Sequence, residues 1–183
     1  MERIDTGIEG LYIIKPRVFK DPRGYFFESY NKEKMAALGL HYDFIQDNQS
    51  QSSYGVVRGL HCQKMPYAQA KLVRCLRGSV LDVAVDIRKD SPTYGQSYAV
   101  ELSEDNQLMF MIPRGFLHGF SVLTATATFA YKCDNLYHPE SEQGIQPYDK
   151  ALNIDWRIPK EKAILSDKDK AAPAFSTVEP IAL

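Results

Sequence analysis

The chain has 183 residues, 44% hydrophobic and 25% charged, and its 22 basic and 23 acidic side chains leave a formal net charge of -1. That length fits one domain with a sizeable core, or at most two small ones, and the composition is that of a globular protein. The charge balance offers no basic footprint for nucleic acid, which is not expected as a partner, although a few local Arg and Lys residues suffice to hold a phosphate.

Met1 to Asp5 lack the basic region and apolar run of a signal peptide. No apolar stretch approaches the roughly 18–20 residues of a membrane span, so no membrane association is expected. Short runs rich in Val, Ile, Phe, Tyr and Thr then recur between Gly, Pro, Asp and Asn turns, which reads as strands. Leu11 to Ile14 is the first. Tyr25 to Tyr30 follows the turn-like Asp21-Pro22-Arg23-Gly24. Asn31 is placed to N-cap a short helix, Lys32 to Leu38, stopped by Gly39. Val56 to Gln63 comes next, and then the pair Lys71 to Arg77 and Ser79 to Ile87, joined near Gly78. In the latter, Leu81, Val83, Val85 and Ile87 share one face by period 2, and Val80, Asp82, Ala84 and Asp86 share the other. Ser97 to Leu102, Gln107 to Ile112, His118 to Leu123 and Thr126 to Cys133 continue the series. After Trp156, charge and three prolines predict loops and short helical turns. No linker breaks the composition, so residues 1–183 read as a single domain. It is mostly β, a jelly-roll sandwich or barrel with a few short helices. Cys62, Cys75 and Cys133 are odd in number and widely spaced, which predicts reduced thiols and a cytoplasmic protein.

Four places hold residues with chemistry. In Val57-Arg58-Gly59-Leu60-His61-Cys62-Gln63, a strand puts His61 and Gln63 on one face, and an imidazole is a natural proton acceptor near neutral pH. Lys71 opens the following strand, where an ammonium can stabilise an enolate oxygen or bind phosphate. Pro113 to Phe120 carries the PxGxxH pattern of a turn delivering His118 to a strand start. That pattern occurs in cupin-type jelly rolls whose histidines bind metal. Here the second histidine position of the first cupin motif is Gln63, and residues 64–70 contain no carboxylate. Two imidazoles do not make a three-ligand catalytic metal site, so no metal is expected. Tyr131 can donate a proton to a carbanion if held opposite a base, and a carboxylate from Leu165 to Asp169 could orient His61. Taken singly, each has a plainer reading: a structural histidine, a strand-edge lysine, a core aromatic or a charged loop.

Taken together and in order, these residues resemble the deoxythymidine-diphosphate (dTDP)-4-dehydrorhamnose 3,5-epimerase family. The resemblance runs through Asp21 to Ser29, Gln46-Asp47-Asn48, Val57 to Gln63, Ala68 to Arg74, Leu81 to Asp86, Pro113 to Phe120, Tyr131-Lys132-Cys133, His138 to Glu142 and Leu165 to Asp169. It implies a homodimer of cupin-like jelly rolls with early strands exchanged between subunits, acting without a cofactor on a dTDP-linked 4-keto-6-deoxyhexose. It implies His61 as base, Asp169 as its partner, Lys71 at the enolate oxygen and Tyr131 as opposite-face acid. Arg23, Glu28, Gln46, Asn48, Arg58, His118, Glu142 and Lys168 fall at binding positions, and Tyr137 is offered as a stacking partner for thymine. Cys62 stands where the family usually has Tyr or Phe. By strand alternation it faces away from the base and packs. The residues alone leave three other readings open: an epimerase of one carbon only, a metal-binding cupin enzyme, and a catalytically silent sugar-nucleotide binder.

Overall fold

In the computed structural model, which describes residues 1–183, the strand-forming runs assemble into two antiparallel sheets and a separate hairpin. The chain starts with β1 (Glu2–Asp5), β2 (Tyr12–Lys15), β3 (Phe19–Asp21), β4 (Gly24–Phe26) and α1 (Lys32–Ala37). Next come β5 (Gln46–Ser53), β6 (Val57–Gln63), β7 (Lys71–Arg77), β8 (Ser79–Asp86) and β9 (Ser97–Ser103). β10 (Met109–Ile112), β11 (Phe116–Val122), β12 (Thr126–Cys133), β13 (Glu142–Gly144) and the single-turn α2 (Asp167–Lys170) complete the set. One sheet has the order β1-β2-β10-β7-β12-β5, the other β13-β6-β11-β8-β9, and β3 and β4 pair only with each other. The result is the mostly β, jelly-roll sandwich expected.

Apolar side chains fill three layers. Leu11, Val73, Phe110, Val80, Ala84 and Phe129 pack between the sheets. Leu81, Val83, Val85 and Ile87 instead pack beneath the five-stranded sheet, against Ile145, Trp156, Ile158 and Ile181. The proline-containing C-terminal segment is therefore a lid over that face, and β8 is buried along its whole length. Ser121 Oγ donates to the Trp156 carbonyl at 2.7 Å, and Trp156 Nε1 donates to the Pro147 carbonyl at 2.6 Å, fastening the lid. On the far side, Met35 of α1 and Leu40 cover Ile14, Leu72, Met109 and Met111 of the six-stranded sheet. Asn31 caps α1, its Oδ1 accepting the Lys34 N–H at 3.0 Å.

Four strands lie outside the sequence expectation: β1, β3, β5 and β13. β5 is Gln-Asp-Asn-Gln-Ser-Gln-Ser-Ser, without one apolar residue, so no periodic signal marks it. It forms because all eight residues pair with β12, from Gln46 opposite Cys133 to Ser53 opposite Thr126. Tyr25 to Tyr30 is a strand only through Phe26; the chain then turns toward α1. β11 begins at Phe116, two residues before His118.

One irregularity sets the site. On β6, His61 pairs with His118 and Arg58 with Phe120, so Gly59 and Leu60 together face the single residue Gly119. This bulge breaks the two-residue alternation and lets Arg58 and His61, three apart, serve the same cavity. Gly59 has φ +112, and a Cβ there would stand 2.6 Å from Gly119 Cα and 2.7 Å from the His118 carbonyl oxygen. Gly59→Ala should therefore destabilise the fold by about 3 kcal/mol. A chemical denaturation midpoint equal to that of the wild type would show that the two strands can part without cost.

Candidate active site

The sheets enclose a cavity of about 570 Å³. One wall comes from the five-stranded sheet: Arg58 and His61 of β6, and His118 and Phe120 of β11. The opposite wall comes from the six-stranded sheet: Asn48 and Ser50 of β5, Lys71 of β7, and Phe129 and Tyr131 of β12. Ile164 to Ser166 and Asp169 close one side. His61, Lys71, Tyr131, Asp169, Arg58, Asn48 and His118, all singled out from sequence, are thus gathered in one place from separate parts of the chain.

His61 Nε2 lies 2.5 Å from Asp169 Oδ1. Burial pushes the Asp169 carboxyl up, but hydrogen bonding and charge from His61, with donation from Ser166 and the Gly59 N–H, outweigh it and hold the group below its ordinary value. Asp169 is then a carboxylate, able only to accept, so Nε2 carries the proton it donates. The nitrogen left with a lone pair in neutral His61 is Nδ1. α2 delivers Asp169 because Ser166 caps that turn, its Oγ accepting the Asp169 N–H at 3.1 Å.

Glu142 Oε1 lies 3.8 Å from His61 Nδ1. Its Oε2 sits 2.6 Å from Lys168 Nζ and accepts from the Tyr137 hydroxyl at 2.7 Å. Burial pushes Glu142 up, and these two partners with the His61 charge more than reverse it, leaving it lowered. The Tyr137 phenol, donating to that carboxylate, is pushed up to about 12. Gln46 joins the same rim: its Nε2 donates to Asn48 Oδ1 at 3.2 Å, and its Oε1 accepts the Tyr137 N–H at 3.2 Å.

Across the cavity, Lys71 Nζ stands 5.9 Å from the centre of the Tyr131 ring. Burial is the main cause raising the Tyr131 hydroxyl above the ordinary phenol value, so it is protonated at neutral pH and able to donate. Arg58 Nε donates to Ser52 Oγ at 3.1 Å.

Sequence reasoning overlooked Asp82. His118 Nε2 is 3.0 Å from both Asp82 carboxylate oxygens, and Asp82 is fully buried. Burial raises the Asp82 carboxyl, with His118 opposing. The signal was present: Asp82 shares a strand face with Val80 and Ala84, which pack between the sheets. Phe120 and Phe129 stack at 4.3 Å and form an apolar patch of wall, also unmarked in sequence.

Gln46, Tyr137, Glu142 and Lys168 adjoin the cavity through Asn48 and His61 without lining it, and two further expected site residues have no such link to it. Arg23 ion-pairs with Asp21 at 2.6 Å, its side chain 90% exposed, and Glu28 binds Asn31 and Lys34. Both belong to the β3–β4 hairpin and the run into α1, which pair with neither main sheet. Cys62 packs with Leu60 and Trp156 away from the cavity, and burial pushes its thiol up, against a nucleophilic role. Gln63, where a metal-binding cupin has its second histidine, is 4% exposed, and its Oε1 accepts the His138 N–H at 2.7 Å.

Comparison with known proteins shows the family to which the chain is similar. A family model described as dTDP-4-dehydrorhamnose 3,5-epimerase matches residues 5–177. The chain is 51% identical to the dTDP-4-dehydrorhamnose 3,5-epimerase of Shigella flexneri over 170 residues, covering 92% of this chain and 93% of that one. The crystal structure of dTDP-4-dehydrorhamnose 3,5-epimerase from Elizabethkingia anophelis superimposes with a TM-score of 0.92 at 56% identity, covering 96% of this chain and 97% of the other. That of dTDP-6-deoxy-D-glucose-3,5-epimerase from Legionella pneumophila, in complex with dTDP-4-keto-L-rhamnose, gives a TM-score of 0.93 at 48% identity, covering 97% and 94%.

Proposed function

The chain belongs to the dTDP-4-dehydrorhamnose 3,5-epimerase family, and we propose that it epimerises dTDP-4-dehydro-6-deoxy-D-glucose at C3 and C5 to dTDP-4-dehydro-L-rhamnose, in dTDP-L-rhamnose synthesis. The observation that carries this is the division of the cavity. A His–Asp pair stands on one wall, and a lysine and a protonated tyrosine stand on the other.

The substrate's C4 ketone acidifies the protons on C3 and C5, because the carbanion formed delocalises onto the carbonyl oxygen. In this reading His61 Nδ1 takes the proton, and Asp169 stabilises the imidazolium by accepting from Nε2. Lys71 holds the negative oxygen of the enolate. Tyr131 then returns a proton to the same carbon from the opposite ring face, which inverts the centre, and the resulting phenolate is reprotonated from solvent. His118, fixed by Asp82, binds the sugar from the His61 wall. No redox cofactor is called for, since the ketone is already present. No metal is proposed either, since the Gln63 carboxamide oxygen is engaged by His138.

Arg58, Lys168, Gln46, Asn48, Glu142 and Tyr137 surround the cavity or its rim, suited to the diphosphate, sugar and thymine. Arg23 and Glu28 fit the reading if the β3–β4 hairpin serves the cavity of a partner subunit in a strand-exchanged homodimer. That hairpin presents Phe19, Tyr25 and Phe26 at 51%, 58% and 67% exposure, an unusual amount of aromatic surface for a chain on its own. Three buried, unpaired cysteines suit a reducing compartment, and we place this single-domain enzyme in the cytoplasm.

The test is conversion of the keto-sugar nucleotide by the purified chain in excess chelator, followed by NMR. Formation of dTDP-4-dehydro-L-rhamnose up to the equilibrium ratio is expected, at a rate the chelator does not lower. Loss of turnover that an added metal ion restores would favour the metal-binding cupin reading instead.

A further inference from the structure

His61 sits within a closed ring of side chains. α2 supplies two consecutive residues to the ring: Asp169 accepts from Nε2–H, and Lys168 holds the far oxygen of Glu142. The near oxygen of Glu142 faces Nδ1 at 3.8 Å, and the Tyr137 hydroxyl joins Lys168 on Oε2. The layers differ in access. The Glu142 side chain is 13% exposed, whereas that of Lys168 is 60% exposed and Tyr137 is 49% exposed. An inner carboxylate thus faces the base, and two outer groups open to solvent restrain it.

We propose that Glu142 is a positioning residue that couples nucleotide binding to the strength of the base. In the free protein, Lys168 and the Tyr137 hydroxyl offset the charge of the carboxylate that faces Nδ1; a bound nucleotide whose diphosphate draws off Lys168, with Tyr137 turned to the thymine, leaves that charge to act on Nδ1 unopposed. The inference rests on reading Lys168 and Tyr137 as nucleotide contacts.

The physics is that of a charge pair with a removable counter-ion. A carboxylate about 4–6 Å from an imidazole favours the imidazolium by roughly 1–3 pKa units, and a cation on the same carboxylate weakens that effect. A diphosphate carries more charge than one carboxylate and competes for the ammonium. Other charged or titratable groups face His61 from the elements packed around it. Asp169 comes from α2, His118 lies opposite on β11, Arg58 is on β6, and Lys71 and Tyr131 lie across the cavity. Asp169 is 3% exposed and committed to Nε2. Glu142 alone combines proximity to Nδ1 with solvent-facing partners that a ligand can take.

The experiment follows the His61 ring C–H signals by NMR against pH in the full-length protein, alone and saturated with dTDP, with binding measured by calorimetry. On binding, the apparent pKa of His61 should rise by about one unit in the wild type, and by less than half of that in Glu142→Gln. In nucleotide-free Lys168→Met it should already be raised, and the rise should vanish in the double variant with Glu142→Gln. An equal rise in Glu142→Gln and wild type would assign the effect to the phosphates and overturn the coupling, as would an unchanged His61 in Lys168→Met. Heat of binding without any shift would overturn the coupling and leave the nucleotide site standing. Absence of heat would remove both.

Discussion

Replacing His61 with Ala should lower exchange of the substrate's C3 and C5 protons by about 10²–10⁴-fold, with product formation falling equally. The cavity holds one other imidazole, and it is already committed. His118 Nε2 is shared between both oxygens of Asp82, and the ring lies almost fully buried on β11. Asp169, stripped of its partner, is too weak a base to replace an imidazole. A thermal melt should show the variant folded, since His61 is only partly buried and belongs to none of the three apolar layers. Exchange within a few-fold of wild type would mean that another group removes the proton.

Tyr131→Phe should separate the two halves of the reaction. Exchange should persist within a few-fold, because His61 and Asp169 stand on the other wall and do not touch the phenol. Epimerised product should fall by about 10²-fold or more, since the donor on the opposite ring face is gone. The carbanion is then reprotonated from the His61 side, restoring the starting configuration with solvent hydrogen. Phe fills nearly the same volume, so packing against Phe129, whose ring centre lies 6.2 Å away, is kept. Exchange and product lost in parallel would give Tyr131 a part in the first proton transfer.

What the sequence disclosed, and what it did not, follows from where apolar periodicity is at work. β8 was legible because its two apolar sets pack into different layers, one between the sheets and one beneath the C-terminal lid. β5 was not, because Asn48, Gln49 and Ser50 line a polar cavity and alternate residues are exposed, so neither side needs an apolar residue. Strand alternation paired His61 with Gln63 correctly. It could not put Arg58 beside His61, because the bulge at Gly59 depends on a backbone approach to Gly119 that only the folded pair reveals. The union of Asp169 with His61 spans 108 residues and came from family resemblance, not from local pattern. Asp82 was visible as an acid on an inward face, yet its meaning depended on His118 arriving from the neighbouring strand. Arg23 and Glu28 were legible as motif residues only. Nothing local says that their hairpin stands apart from both sheets.

Deuterium wash-in from D₂O, read by NMR at each sugar carbon of the keto-sugar nucleotide, tests the assignment of His61 most directly. The wild-type chain should place deuterium at both C3 and C5, and His61→Ala at neither over the same interval. Undiminished incorporation by His61→Ala would contradict the assignment, whatever the fold.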